Sequence, residues 1–439
     1  MFGIISEYIT DNHFGGVPMA SINELSNGVK VVLEEIPYVR SISFGIWVNN
    51  GSVNEPKEIN GVSHYIEHMM FKGTKKRSAR QIAEEMDELG GQINAYTTKE
   101  YTCYHTRTLD KHFDIALDVL SDMFLNSRFD EEDIKKERNV IIEEINMYDD
   151  APEELVHDEM QVQVWKDNAI GMPILGTEET ISRIDSRVIK DYFSKHYRND
   201  NTVISVVGYF KEKEMLEKLE KAFGGWKTEK RNDDVEKNVK YNRSIKAVQK
   251  DTEQVHVCLA FPSVERDNPK KYVYAVFNAV FGGGMSSILF QKVREDHGLT
   301  YSIYSYLSSY NNCGLFMIYA AMNPNQTQKV LQLIYEECEE LKKNGISSEI
   351  IEKAKTQVLS NYIISGESTV NRMTSNGGSM LIRNRIVSQE EIIEGVEKIA
   401  VKDIQEAIES IFDYSKMSIT AAGNTSGINF EELVNNIFM

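Results

Sequence analysis

Residues 28–49, GVKVVLEEIPYVRSISFGIWVN, alternate apolar and polar side chains in two runs broken near Pro37, which is the period-2 pattern of a strand pair. The period then changes. From about 61 to 71, and again from 78 to 89, the apolar residues recur at helical spacing, and Gly90-Gly91 stops the second helix. The run 92–109, QINAYTTKEYTCYHTRTL, is rich in Thr and Tyr and predicts a strand or hairpin.

Downstream, helices are expected at about 110–125 and 130–148, the second opening with the acidic stretch FDEEDIKKER that a helix dipole favours. The segment 202–208, TVISVVG, predicts a short buried strand, and 211–223 a helix. After it comes GGWKTEKRNDDVEKNVKYNRS, charged and poor in large apolar residues, which has the composition of a linker. The expected division is therefore an N-terminal half over 1–228, a linker over 229–245 and a C-terminal half over 246–439.

The second half repeats the pattern of 41–108: the strand VHVCLAF, the helix KKYVYAVFNAVF, a glycine-rich turn, another helix, then strands YSIYSYLSSY and GLFMIYAAM. The expected fold class is α+β, with two similar domains, each a mostly antiparallel sheet carrying helices on one face. A chain of 439 residues suits two such domains.

Composition narrows the function classes. Hydrophobic residues at 41% and charged residues at 26% describe a globular chain. The opening MFGIISEYITDNHFGG lacks a basic leader, and no stretch approaches eighteen consecutive apolar residues, so a cytoplasmic protein without membrane insertion is expected. The cysteines Cys103, Cys258, Cys313 and Cys338 are widely spaced with no C-x-x-C pair, as buried thiols of a reducing compartment would be. A net charge of -18 argues against a nucleic-acid partner.

The chemistry concentrates in His64-Tyr65-Ile66-Glu67-His68, inside the first predicted helix. Positions i, i+3 and i+4 share a helix face, so both imidazoles and the carboxylate project together. Two His nitrogens at that spacing suit one tetrahedral zinc ion, with Glu67 outside the ligand set and free to take a proton from a metal-activated water. A third ligand is needed. In ERNVIIEEINMY, Glu137 and Glu144 lie seven residues apart and share a face, whereas Glu143 points about 100° away; the residues alone leave Glu137 and Glu144 as alternatives.

With its H-x-x-E-H order, the sequence resembles the M16 metallopeptidases, or inverzincins. GVSHYIEHMMFKGT, LGGQINAYTTKEYT, EEINMYDDAPEE and ILGTEE resemble, in order and spacing, the subgroup that contains the mitochondrial processing peptidase and its bacterial relatives. The resemblance implies that Glu144 is the third ligand to one zinc per chain, and that Glu137 supports the site without ligating. It implies that the strand around Asn94, Ala95 and Tyr96 is an edge strand that binds extended peptide, and that only the first domain carries metal.

In the second half, GGGMSSILFQKVREDHGLTYS resembles the segment whose Arg and Tyr reach the catalytic zinc from the opposite half of a chamber, here Arg294 and Tyr301. Family members commonly pair, which implies a homodimer in which these two residues act in trans. Ile288 departs from the relatives, which often carry Arg there, and puts loop contacts and substrate preference in question. The implied function is a zinc endopeptidase acting on unfolded peptides in a dimeric chamber. The alternatives are a presequence-type processing peptidase and a non-catalytic subunit of a heterodimer.

Overall fold

A computed structural model describes residues 20–230 and 238–439. The opening stretch quoted above, and 231–237 within the expected linker, lie outside the described residues. Six strands form the first sheet: β1 (Ser21–Glu24), β2 (Lys30–Glu35), β3 (Ser41–Val48), β4 (Gln92–Thr97), β5 (Thr102–Leu109) and β6 (Thr202–Gly208), in the order β1-β2-β6-β3-β5-β4. Five form the second: β7 (Ile245–Gln249), β8 (Val255–Ser263), β9 (Thr300–Ser309), β10 (Gly314–Met322) and β11 (Ser418–Gly423), in the order β7-β11-β8-β10-β9.

Apart from β1 the two orders superimpose element for element, with β2, β6, β3, β5 and β4 matching β7, β11, β8, β10 and β9. The duplication expected over 41–108 thus extends to the last strand of each half. Each sheet is antiparallel except for one parallel pair, β2 with β6 and β11 with β7. This corrects the reading of 28–49: both strands form, but β6 lies between them, antiparallel to β3. TVISVVG is buried along its whole length, so it takes a central place rather than an edge.

Alternation along the central strands explains why both faces are covered. In β3, Phe44, Ile46 and Val48 join the core under the helices of the first half, while Trp47 points the other way and meets Met373 and Met380. Those methionines belong to the helix Thr369–Arg383, which comes from the second half. The reciprocal helix, Pro152–Val164, comes from the first half and lays Val156, Met160 and Val164 on Cys258, Ala260, Leu315 and Met317 of the second sheet. Each half therefore lends one helix to the open face of the other, which is why GLFMIYAAM is apolar at every position.

The seam depends on a close approach. Gly377, inside Thr369–Arg383, lies so near the fully buried indole of Trp47 that an added Cβ would sit 2.5 Å from its ring. Gly377→Ala is expected to destabilise the protein by about 1–3 kcal/mol, because overpacking outweighs the roughly 1 kcal/mol that Ala gains over Gly in a helix. Urea unfolding would show this as a lower midpoint at an unchanged slope.

Candidate metal centre

The motif helix, Val62–Met70, is fixed at its start before any ligand is placed. Gly61 takes φ 95°, and a Cβ there would meet the Leu175 carbonyl at 2.6 Å. The buried Glu55 carboxylate accepts from the backbone N–H of Gly61 (2.6 Å) and Ser63 (2.8 Å) and from Asn60 Nδ2 (2.7 Å), satisfying amides that the first turn leaves open. Burial pushes Glu55 up to about 7, while those amides pull it back. Val62, Tyr65, Ile66, Met69 and Met70 anchor the helix in the first core.

His64 and His68 then face the acidic helix Glu131–Asp149, with ring centroids 4.5 Å apart. Glu144 Oε2 lies 3.8 Å from His64 Nε2 and 3.5 Å from His68 Nε2. Ligand atoms held about 2.0–2.2 Å from a tetrahedral ion are separated by roughly 3.3–3.5 Å, so this donor set fits zinc. One ligand atom from each of the three residues lies within 4.8 Å of the others. Burial, and secondarily the charge of His68, lowers His64 from 6.5 to about 3, so its imidazole is neutral at physiological pH.

Geometry separates the two aligned glutamates. Glu137 Oε1 contacts His68 Nδ1 at 2.8 Å, on the far side of the ring from Glu144. A carboxylate at Nδ1 keeps a proton there and leaves the Nε2 lone pair for a metal. Lys72 Nζ holds the other Glu137 oxygen at 2.5 Å. Burial raises the Glu137 carboxyl, but contacts with His68 and Lys72 outweigh it, and the group stays below the usual carboxylate range.

Glu67 projects from the same helix toward β4. Burial raises its carboxyl above the ordinary value, partly opposed by a hydrogen bond that Thr97 Oγ1 donates to Oε2. Among the described residues β4 is the edge of its sheet and pairs with β5 alone. Thr98 N–H donates to Tyr101 O across the turn (2.8 Å), so even-numbered residues of β4 spend their backbone groups on β5. The odd-numbered Ile93, Ala95 and Thr97 turn theirs to the free edge. On that edge the Asn94 side chain accepts from Ala95 N–H at 2.9 Å, and the Tyr96 side chain packs on the opposite face against Tyr101 and His105.

Arg294 and Tyr301 sit in the second half. The Arg294 guanidinium lies 4.7 Å from the Tyr301 ring centroid and 4.5 Å from that of Phe290, and Tyr301 is 79% exposed. No hydrogen bond or ion pair joins either to the histidine–glutamate group among the described residues. Ile288 packs against the second core. Sequence reading passed over Glu55, Lys72 and Thr97. Of these only Lys72 carried a signal, lying one turn beyond His68 on the same face.

Residues 30–178 match the family model described as Insulinase (Peptidase family M16), and residues 183–358 match the Peptidase M16 inactive domain. An uncharacterized zinc protease of Bacillus subtilis, YmxG, is 42% identical over 400 residues, covering 91% of this chain and 97% of its own.

The chain belongs to peptidase family M16.

Uncharacterized zinc proteases of Streptomyces coelicolor and Rickettsia felis are 35% and 36% identical, each spanning 89% of this chain and 86% and 95% of their own. Among solved structures, a protease from Helicobacter pylori aligns with a TM-score of 0.86 at 21% identity, over 93% of this chain and all (100%) of its own. A peptidase M16 inactive domain from Pseudomonas fluorescens aligns with a TM-score of 0.85 at 20% identity, over 92% and 97%. Both share the two-domain α+β fold of this M16 chain.

Proposed function

We propose that this M16 protein is a zinc-dependent endopeptidase acting on extended, unfolded peptides. The observation that carries the proposal is the convergence of His64, His68 and Glu144 on one point, with Glu67 alongside and outside the ligand set. The three would hold one zinc per chain, and Glu137 would orient His68 from behind. Zinc, when bound, supplies Lewis acidity that makes a water acidic near neutral pH and polarises a carbonyl.

Glu67 accepts the proton of the attacking water and returns it to the leaving amine. The free edge of β4 around Asn94, Ala95 and Tyr96, where the odd-numbered residues turn their backbone groups outward, receives the substrate as an added strand, whose backbone hydrogen bonds give affinity without demanding one sequence. Arg294 and Tyr301 of a second copy close the site of the first and donate to the developing oxyanion. The exposure of Tyr301, with the Arg294 guanidinium against its ring, supports a role at such an interface. In this reading 1–228 is the catalytic half and 246–439 the completing half, joined through 229–245, and the assembly is a cytoplasmic homodimer. Four free cysteines accord with a reducing compartment, and no helix of the described residues is long and apolar enough to cross a membrane.

The test is a mixed library of unstructured peptides incubated with the purified protein. Internal cleavage is expected, abolished by a zinc chelator and restored by added Zn2+. Cleavage that survives complete removal of metal overturns the proposal.

A further inference from the structure

Thr97 sits where two parts of the proposed machinery meet. It is the last residue of β4, and its hydroxyl donates to Oε2 of Glu67. Its backbone amide also helps to lower the Glu67 carboxyl against burial, after the hydroxyl. That agrees with the strand's alternation: Thr97 pairs with Thr102 in the non-hydrogen-bonded position, so its amide points away from β5 to the free edge. A carboxylate with two rotatable bonds beyond Cβ is thereby held by one residue of the sheet. The Glu67 carboxylate makes no other side-chain hydrogen bond among the described residues.

We infer that Thr97 is a positioning residue, one that fixes Glu67 Oε2 against the end of the peptide-binding edge and leaves Oε1 as the oxygen that exchanges protons. The inference rests on the reading of Glu67 as general base. Its consequence is a fixed register: the edge groups of Ile93 and the Ala95 carbonyl face a peptide backbone, the Ala95 N–H being held by the Asn94 side chain, and at Thr97 the edge is already occupied by the base. The peptide bond aligned just beyond Ala95 is then the one presented to Glu67. Proton-transfer geometry, not affinity, depends on the hydroxyl, because Thr97 makes its side-chain contact to the enzyme's own base.

Thr97→Val keeps the shape and the strand propensity while deleting the hydroxyl, and Thr97→Ser returns it. Steady-state cleavage of one fluorogenic peptide is measured for wild type, both variants and Glu67→Gln, with zinc content of each. Thr97→Val is expected to lower kcat by about tenfold to a hundredfold, the cost of loosening a catalytic group by a fraction of an ångström. KM should change less than about twofold and zinc stay stoichiometric, because the variant touches neither the open edge nor a ligand. Thr97→Ser should recover most of the rate. A Thr97→Val enzyme with wild-type kcat, a loss that falls on KM alone, or a Ser variant as slow as Val would overturn the role of Thr97 while an inactive Glu67→Gln still upheld the base. Full activity in Glu67→Gln would instead remove the reading on which it rests.

Discussion

Glu67→Gln is expected to lower kcat for peptide cleavage by about a hundred- to ten-thousand-fold, the usual contribution of a general base, with zinc still bound one per chain. The two halves of this result have separate causes. Gln is isosteric with Glu and still meets Thr97, so the motif helix and its ligands stay in place. Its amide, however, cannot take a proton at neutral pH. The environment of Glu67 is built for the task, since burial raises its carboxyl while the Thr97 hydroxyl limits the rise, the direction that brings a carboxylate nearer its working pH. Zinc content by atomic absorption beside a kcat measurement checks both halves.

The second large effect separates Glu144 from Glu137. Glu144→Ala removes a carboxylate that faces both Nε2 atoms and is expected to lose stoichiometric zinc and with it all measurable cleavage. Glu137→Gln leaves all three proposed ligands in place but disturbs the partner at His68 Nδ1 and strands Lys72 beside a neutral amide. Supporting groups of this kind change metal affinity or activity by about 10–100-fold, so this variant should bind zinc more weakly and keep part of its activity. Competition against a fluorescent zinc chelator measures both affinities. Equal losses in the two variants would erase the distinction that geometry draws between them.

Much of this was legible in the residues, and the limits have physical reasons. His64, Glu67 and His68 follow from helical spacing alone, because three side chains on one short helix need no knowledge of the rest of the fold. Glu137 and Glu144 share a helix face two turns apart, so periodicity could not choose between them; the choice depends on how the acidic helix sits against the motif helix, and that is set by core packing of residues such as Ile134 and Ile141. The duplication was readable as a repeated order of elements. The exchange of Pro152–Val164 and Thr369–Arg383 between halves was not, since an amphipathic helix does not record which sheet it will cover. The insertion of β6 between β2 and β3 was hidden for a related reason: TVISVVG states that it is buried on both faces, but not between which neighbours.

Thr97 shows a further limit. In the sequence it is one Thr in the Thr-rich run 92–109, and its meaning comes from the parity of β4 against β5 and from the absence, among the described residues, of a strand on its other side. Glu55 is similar, an acid before a helix whose value lies in being buried against that helix's first amides.

The most direct test of the account is an anomalous diffraction map collected at the zinc edge from crystals of the zinc-loaded protein. The account predicts one peak per chain, about 2.0–2.2 Å from His64 Nε2, His68 Nε2 and a Glu144 carboxylate oxygen, with Glu67 outside bonding distance. A peak bound instead through Glu137 and His68 Nδ1, or zinc held elsewhere with these three residues apart, would contradict it.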